Sequence, residues 1–514
     1  MSQSKPFSVL RWLIALAALG GMLFLLMERA PDSQPASDTP AVAQAPDDGP
    51  ADTATEVFGS PLPALSSLEE LDLDTPPARR GLDLQHWQTR QGTPVYFMHA
   101  GELPMLDIQL LYAAGASRDG ELPGLAMFTN AMLNEGTGSL DAGDIAAGFE
   151  RLGAQFGNSS HRDMGLISLR TLTAADKLDP ALTLFAQILS KPSFPAASLE
   201  RIREQLLAGL RYARQRPGAQ ANEVLWSTLY PDHPYGIPPD GSEDSLKAIS
   251  RDDLQRFQQT YYSAGNAVIA LVGDIDRARA EQLAQHLADA MPQGPAAEPT
   301  PPAEKIAASS QHIDFASSQT HVLVAQQGMS RTDPDYAALY LGNQILGGSG
   351  FGSRLVEEVR EKRGLSYSVG SNFSAMQAPG PFVISLQTRS DQAEQALEVV
   401  NQTLDRFISE GPTDAEVNRA KQQLLGEFPL STASNSAIVA QLAAIGFYNL
   451  PLNHMQLFLD RVQALTATDI REAFARHLPA SERVVITVGP PQPPAEPEDN
   501  ADQPSAAAEQ EPSA

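Results

Sequence analysis

Two patterns of hydrophobic and polar residues alternate along this chain of 514 residues. Apolar residues at every second position from Leu106 to Tyr112 predict a β-strand. The segment from Gly124 to Thr137 instead places its apolar residues at helical spacing, and Gly136 is expected to end the helix. Strands and helices therefore follow one another, which indicates an α+β fold.

The same order of elements occurs twice. Ser250–Asp253 resembles a helix capping box, and Thr466–Asp469 repeats it 216 residues later. The apolar strand Val268–Gly273 recurs at the same offset of 216 as Val484–Gly489. The short helix described above recurs around Tyr340 at an offset of 212. We therefore predict two homologous α+β domains.

The predicted organisation has five parts, with boundaries at changes in composition. The two domains are separated by a segment rich in proline. The parts are an N-terminal membrane anchor or signal (1–30), a disordered linker (31–80), the first domain (81–295), the second domain (305–490) and a disordered tail (491–514).

The N-terminal segment is predicted to be an uncleaved membrane anchor. Trp12 to Met27 is uncharged and mostly apolar, and Arg11 can extend toward the headgroups, so that Phe7 to Leu10 lengthens the span. A cleaved signal peptide is the alternative, although no good cleavage site follows closely after Met27. Because the basic residues precede the span, the rest of the chain is expected outside the cytoplasm.

Composition excludes several classes of function. The formal net charge of −26 argues against nucleic acid or an anionic membrane surface as a partner. The sequence contains no cysteine, which excludes disulfides, thiol catalysis and a lipid-modified N-terminal cysteine.

The segment Gly124–Thr137 resembles the zinc-binding helix of the pitrilysin/insulinase family of zinc metallopeptidases. That helix reads G-L-A-H-F-x-E-H-M-L-F-x-G-T, and its inverted H-x-x-E-H motif supplies two zinc ligands and a general base. This chain has Met127, Asn130 and Ala131 at the three chemical positions. The resemblance therefore implies a member of the family without a zinc motif.

A replacement zinc site is not expected elsewhere. No two of the nine histidines lie within five residues of each other, so the sequence offers no helical histidine pair. The third ligand of the family, a glutamate about 76 residues downstream, falls near Ala208 and Gly209. We therefore expect no metal and no other cofactor in this chain.

The second domain carries the most specific part of the resemblance. A glycine-rich loop at Gly347–Gly352 is followed by Arg360 and Tyr367, and this seven-residue spacing is similar to that of the family. There the pair reaches toward the substrate peptide near the zinc, which implies substrate binding here. The alternative is a structural arginine and a buried tyrosine. The loop lacks the G-K-[ST] of a phosphate-binding loop.

A third group of polar residues follows Gly157-Asn158-Ser159-Ser160. His161 and Asp163 could form a catalytic pair, but we expect a solvent-facing turn. In the family this segment is an edge strand to which a substrate can add as an extra strand. No G-x-S-x-G motif for a serine nucleophile is present.

The resemblance implies two α+β domains that face each other like the halves of a clam, and a role as a partner subunit. In two-chain members of the family, one subunit carries zinc and the other supplies the arginine and tyrosine. We therefore expect a catalytically incompetent subunit of a heterodimer with an intact H-x-x-E-H chain, which cleaves peptides or unfolded proteins. The expected location is the inner membrane, with the body in the periplasm.

Two rival functions remain open. One is a non-enzymatic assembly or peptide-binding protein of the bacterial envelope, as for family relatives in respiratory complexes. The other is an active hydrolase with an unrecognised site.

The predicted topology can be tested with reporter fusions. A reporter fused after residue 60 should be active only if it works outside the cytoplasm, because the basic residues precede the apolar span. Recovery of a freely soluble mature chain that begins near residue 30 or 46 would contradict the anchor.

Overall fold

The computed structural model describes residues 82–348 and 352–491. The predicted anchor (1–30), the linker (31–80) and the tail beyond residue 491 lie outside the described residues, as do Ser349 to Phe351 of the glycine-rich loop. In the described residues no single helix is long and apolar enough to cross a membrane. A pair of helices bent by 103°, Asp414–Thr432 and Asn435–Phe447, reaches that length and composition.

The first half of the described chain is built on a six-stranded sheet with the order β1-β2-β8-β3-β7-β6. Its strands are β1 (Gln85–Gln88), β2 (Pro94–His99), β3 (Met105–Tyr112), β6 (Gln155–Ser160), β7 (Gly165–Leu172) and β8 (Ala267–Gly273), and a short hairpin is formed by β4 (Gly136–Thr137) and β5 (Leu140–Asp141). The pairing is antiparallel except between β2 and β8.

The helices of this half cover one face of the sheet, with one exception treated below. They are α1 (Leu125–Met132), α2 (Ala142–Leu152), α3 (Ala175–Ser190), α4 (Ala196–Ala213), α5 (Pro217–Leu229), α6 (Glu243–Ala248), α7 (Arg251–Tyr261) and α8 (Arg277–Ala290).

The second half repeats the plan with a five-stranded sheet of order β11-β12-β10-β13-β9. The strands are β9 (Ser309–Asp314), β10 (Gln319–Gln327), β11 (Val369–Phe373), β12 (Pro381–Arg389) and β13 (Val484–Gly489). The helices are α9 (Tyr336–Asn343), α10 (Ala393–Glu410), α11 (Asp414–Glu427), α12 (Asn435–Phe447), α13 (His454–Ala464) and α14 (Ala467–His477), with π-helical turns at Gln344–Gly348 and Val356–Glu361.

The periodicity of the sequence is confirmed in these elements. The alternation from Leu106 predicted β3, and the helical spacing after Gly124 predicted α1. The expected end at Gly136 is wrong, because α1 ends at Met132 and Gly136 lies in β4. Gly124 has φ +89°, a conformation that suits glycine, directly before α1 begins. Both predicted capping boxes are present, with Ser250 before α7 and Thr466 before α14. The chain therefore has a mixed α+β fold.

Each sheet is buried on both faces, and the two halves exchange one helix to achieve this. One face of each sheet packs on helices of its own half. The other face of the first sheet is covered by α12 of the second half, through residues such as Leu442. The corresponding face of the second sheet is covered by α5 of the first half, through residues such as Leu225.

The burial pattern corrects the offset of one repeated helix. In α1 the half-buried positions are Met127 and Ala131, and in the second half they are Tyr340 and Gln344. The offset is therefore 213 rather than the predicted 212. With this register Asn130 corresponds to Asn343, and both side chains are buried.

The exchanged helix α12 lies so close to the first sheet that a methyl group should not fit at Gly446. An added Cβ would lie 2.4 Å from Cγ1 of Val268 and 2.5 Å from Cε2 of Tyr96. We expect Gly446→Ala to destabilise the protein by about 1–3 kcal/mol, because overpacking outweighs the better helix propensity of alanine. Chemical denaturation of the full chain measures this change.

Gly209 provides the matched control, because it lies in the middle of α4 and a Cβ there would meet nothing within 4 Å. Gly209→Ala should stabilise the protein by about 0.5–1 kcal/mol. Equal stabilisation by both substitutions would contradict the close packing of α12.

Candidate functional site

The N-terminus of α1 is fixed by a buried carboxylate. The side chain of Asp119 accepts hydrogen bonds from the backbone N–H groups of Gly124 and Ala126, each at 2.7 Å. Burial raises the pKa of Asp119 to about 7, although both N–H donors act in the opposite direction. The turn that presents the helix is thus held by specific polar contacts.

The structure places the degenerate zinc-motif positions Met127, Asn130 and Ala131 together on α1, but their chemistry does not suit a metal. Met127 and Ala131 are half-buried, and Ala131 packs against the hydrophobic core of the first half. Asn130 is buried and its Nδ2 donates to the hydroxyl of Tyr262 at 3.0 Å. None of the three side chains supplies an imidazole or a carboxylate, so the residues present do not fit zinc.

Asn130 also connects α1 to the adjacent edge strand β6. The side chain of Asn158 on β6 donates to the backbone oxygen of Asn130. The second half contains a corresponding connection between Asn343 and Ser371 on its edge strand β11. Nδ2 of Asn343 donates to the backbone oxygen of Ser371 at 3.0 Å, and Ser371 Oγ donates to Asn343 Oδ1 at 2.7 Å.

The two asparagines, 213 residues apart, each join a helix to an edge strand, Asn130 through its backbone oxygen and Asn343 through its side chain. At the position where the family motif has its general base, this chain has a polar clamp between a helix and an edge strand. This supports packing rather than chemistry at the degenerate motif. Sequence reasoning missed the clamp because its hydrogen bonds join separate elements, and the predicted offset of 212 did not align the two asparagines.

The position of the third zinc ligand is also without a suitable side chain. Helix α4 packs beside α1, as shown by the guanidinium of Arg203, which lies 5.5 Å from the ring centre of Phe128. An ion pair between Arg201 and Glu135 makes a second connection to the end of the α1 segment. Ala208 and Gly209 are exposed on α4. The chain has the helix pair α1 and α4, but other residues stand at the positions of the zinc ligands.

One group of described residues has the types and spacing of a metal site. Asp333, Asp335 and His477 have ligand atoms that all lie within 4.8 Å of one another. The carboxylate of Asp335 is already held by Arg476 through two bonds of 3.0 and 2.9 Å. An arginine in this position repels a cation, so we interpret the group as an ion-pair network.

Arg360 and Tyr367 are brought together by the structure. The guanidinium carbon of Arg360 lies 5.0 Å from the ring centre of Tyr367, a cation–π contact. Arg360 Nε is also 3.5 Å from a carboxylate oxygen of Glu361. Tyr367 is 85% exposed, so the alternative of a buried tyrosine is wrong.

Arg360 and Tyr367 are seven residues apart in sequence. A turn between the π-helical segment Val356–Glu361 and β11 brings them together. Gly364 has φ +60° and its N–H donates to the backbone oxygen of Arg360 at 2.9 Å. Ser366 then anchors the chain, since its Oγ donates to the backbone oxygens of Ser368 and Gln387 at 2.7 and 2.6 Å. Tyr367 is therefore presented on a fixed backbone, two residues before the edge strand.

The prediction of a solvent-facing turn at His161 and Asp163 is wrong for the aspartate. His161 is exposed, whereas Asp163 is only 2% exposed. Asp163 accepts from the hydroxyl of Tyr235 at 2.6 Å and from the backbone N–H of Gln377 at 2.8 Å. Burial raises the pKa of Asp163, although its two hydrogen bonds act in the opposite direction. This carboxylate therefore connects the two halves and does not pair with His161.

The fold and the degenerate helix define a peptidase-like α+β protein without a zinc motif, and comparison with known proteins identifies the family. Residues 106–239 match the model of the insulinase peptidase family M16, and residues 248–424 match the model of the peptidase M16 inactive domain. A solved structure of a peptidase M16 inactive domain from Pseudomonas fluorescens is 49% identical, with a TM-score of 0.78, and covers 80% of this chain and 99% of its own.

Other relatives support the same assignment. The non-peptidase homolog YmxG of Helicobacter pylori is 28% identical over 77% of this chain and 91% of its own. An uncharacterized zinc protease of Streptomyces coelicolor is 27% identical over 74% of this chain and 84% of its own. This chain belongs to the M16 insulinase family, as a catalytically inactive homologue that lacks the zinc-binding residues at the motif.

The zinc prediction can be tested by restoring the motif. We expect the full chain to bind less than about a tenth of an equivalent of zinc after dialysis against micromolar metal, because the motif lacks all of its ligands. The triple substitution Met127→His, Asn130→Glu and Ala131→His should not create a tight site, since Ala208 and Gly209 leave the third ligand missing. Elemental analysis measures both.

The comparison is a quadruple variant, in which Gly209→Glu is added to the three substitutions to supply the missing third ligand. One tightly held zinc per wild-type chain would contradict the account.

Proposed function

We propose that this chain is the non-catalytic subunit of a heteromeric zinc metalloprotease. Its expected partner is a homologous chain with an intact H-x-x-E-H motif, which would hold the zinc. The expected substrates are peptides or unfolded proteins. The observation that carries the proposal is the contact of the half-buried Arg360 with the exposed Tyr367, beside the absence of every chemical residue of the motif on α1.

The pair has the chemistry that a peptide-cleaving site needs opposite its metal. A guanidinium can hold a backbone carbonyl or a carboxylate, and a phenol can donate to the oxyanion that forms when a peptide bond is attacked. The contact between Arg360 and Tyr367 orders two side chains that would otherwise lose rotamer freedom on binding. An exposed cation–π contact supplies about 0.5–1 kcal/mol for this purpose.

The edge strands favour a peptide ligand. Strand β6 is the last strand of the first sheet, and β11 is the last strand of the second. The outer backbone groups of an edge strand can pair with an extended peptide, which then adds to the sheet. Tyr367 lies two residues before β11, so a peptide along this edge would pass close to it.

The family resemblance implies a clam-like arrangement, and the exchange of α5 and α12 affects which parts of the assembly could face each other in it. Because each of these helices covers a sheet of the other half, the two halves of this chain are interlocked. An enclosed cavity for a substrate would then be completed by a second chain that faces this one. The proposed assembly is accordingly a heterodimer, anchored to the inner membrane by residues 1–30 with its body in the periplasm.

A non-enzymatic assembly role is the second candidate, since a chain with a similar fold belongs to a multi-chain assembly. A chain in the structure of Complex III2 from Candida albicans has a TM-score of 0.65 and 17% identity over 79% of this chain and 95% of its own. At this identity the similarity shows the fold alone. It indicates that such a fold also serves within a large assembly.

Substitution of the pair separates the two candidates. Losing one oxyanion donor typically costs about 10²–10³ in rate, or roughly 3–4 kcal/mol. We expect Tyr367→Phe to lower kcat of the mixed complex by about that factor. Arg360→Ala should also raise KM, because a guanidinium binds the substrate in its ground state as well. Peptide cleavage by the reconstituted complex measures both effects.

Tyr212→Phe and Arg389→Ala are the matched controls. Tyr212 is 64% exposed on α4, and Arg389 forms an ion pair with Asp391 at the surface. Both controls should retain full activity, and size-exclusion chromatography should show the same complex for all variants. Full activity of Tyr367→Phe and Arg360→Ala would favour the assembly role.

A further inference from the structure

The second half contains a cavity of about 410 Å³ that the proposed function does not use. It lies among α9, α11, α12 and α13, and neither Arg360 nor Tyr367 lines it. Its volume is within the range of about 300–1,000 Å³ that is typical of small-molecule sites.

One wall of the cavity is aromatic. The rings of Tyr336, Tyr340 and Phe458 contact each other, with centre-to-centre distances of 6.0, 5.8 and 5.5 Å. Phe428 and Met455 add further apolar surface. Such a wall favours an aromatic or bulky aliphatic group.

The cavity also contains a cation whose hydrogen bonds are incomplete. The guanidinium of Arg331 lies 4.8 Å from the ring centre of Tyr336 and donates from Nη1 to its hydroxyl. Arg331 Nε is buried and has no hydrogen-bond partner among the described residues. A carboxylate is a stronger acceptor for a guanidinium than a phenol is, so an anionic ligand in the cavity would gain by bonding to Arg331.

The other ionisable groups of the cavity leave this role to Arg331. Burial, together with the positive charges of Arg331 and Arg461, lowers the pKa of His454 to about 4, so that the imidazole is neutral at pH 7. Glu427 is exposed and accepts a hydrogen bond from Gln423 at 2.9 Å. The buried part of the cavity therefore presents a single positive charge beside aromatic rings.

The cavity corresponds in position to the degenerate zinc site of the first half. Tyr340 on α9 is 213 residues from Met127 on α1, and α11 follows α10 as α4 follows α3. Where the first half retains a helix pair whose ligands are replaced, the second half has a cavity between the corresponding helices.

We propose that this cavity binds a carboxylate carried on an aromatic or bulky aliphatic group. The guanidinium of Arg331 holds the carboxylate, and the rings of Tyr336, Tyr340 and Phe458 surround the apolar group. The C-terminal residue of a peptide and a free carboxylic acid both have this chemistry. This site is independent of the proposed protease partnership.

Calorimetric titration of the full chain in detergent tests the site. The probes are N-acetylphenylalanine, the tripeptide Ala-Ala-Phe, and the C-terminal amide of each. Each free acid should bind at least about tenfold more tightly than its amide, since a hydrogen bond to a charged group contributes about 1.5–3 kcal/mol. Tighter binding of the tripeptide than of the single residue assigns the site to peptide C-termini, and equal binding assigns it to free acids.

Three variants in the cavity and one surface control localise the effect. Arg331→Gln should remove the preference for the acid, whereas the surface control Arg389→Gln should keep it. Phe458→Ala should weaken the acid and the amide alike and so preserve their ratio. Ser431→Trp, which narrows the cavity and leaves the residue Arg331 unchanged, should abolish binding and serves if Arg331→Gln fails to fold.

The proposal is overturned by equal binding of acid and amide, or by no binding at probe concentrations up to about 10 mM. Unchanged acid preference in folded Arg331→Gln, or unchanged binding in Ser431→Trp, would also overturn it.

Discussion

The exchange of α5 and α12 between the two halves is the contact on which the rest of the structure depends. Each sheet would expose an apolar face without the helix that the other half supplies. Burial of these faces holds the two halves together. The hydrogen bonds of Asp163 with Tyr235 and Gln377 help to fix their relative orientation, which apolar burial alone does not specify. The edge strands β6 and β11 are left at the ends of their sheets.

The same constraint explains how the chain can lose its zinc chemistry and keep its fold. The N-terminus of α1 is held by Asp119, α1 is joined to α4 by the contact of Arg203 with Phe128, and Asn130 donates to the hydroxyl of Tyr262. None of these interactions requires a metal. The scaffold therefore does not depend on zinc ligands at the positions of Met127 and Ala131.

Much of the fold and part of the site could be predicted from the sequence. Period-2 and period-3.6 patterns predicted β3 and α1, because the large apolar side chains of each element recur on one face. The resemblance to the family singled out Arg360 and Tyr367, and the structure shows that a turn at Gly364 brings the two residues into contact. The domain boundaries and the membrane anchor stay predictions.

The remainder depends on contacts that local patterns do not encode. Asp163 follows a run of glycine, asparagine and serine that indicates a turn, but Tyr235 and Gln377 from distant segments bury it. The equivalence of Asn130 and Asn343 emerged only from burial and hydrogen bonds. The cavity at Arg331 is formed by helices far apart in sequence, so no motif indicates it.

The most direct test of the central claim is the composition of the native complex. The full chain is purified from its own membranes under mild conditions, and the intact complex is weighed by mass spectrometry. The account predicts an equimolar partner that is homologous to this chain and contains an H-x-x-E-H motif. A complex of this chain with itself alone, or with proteins that include no such homologue, would contradict it.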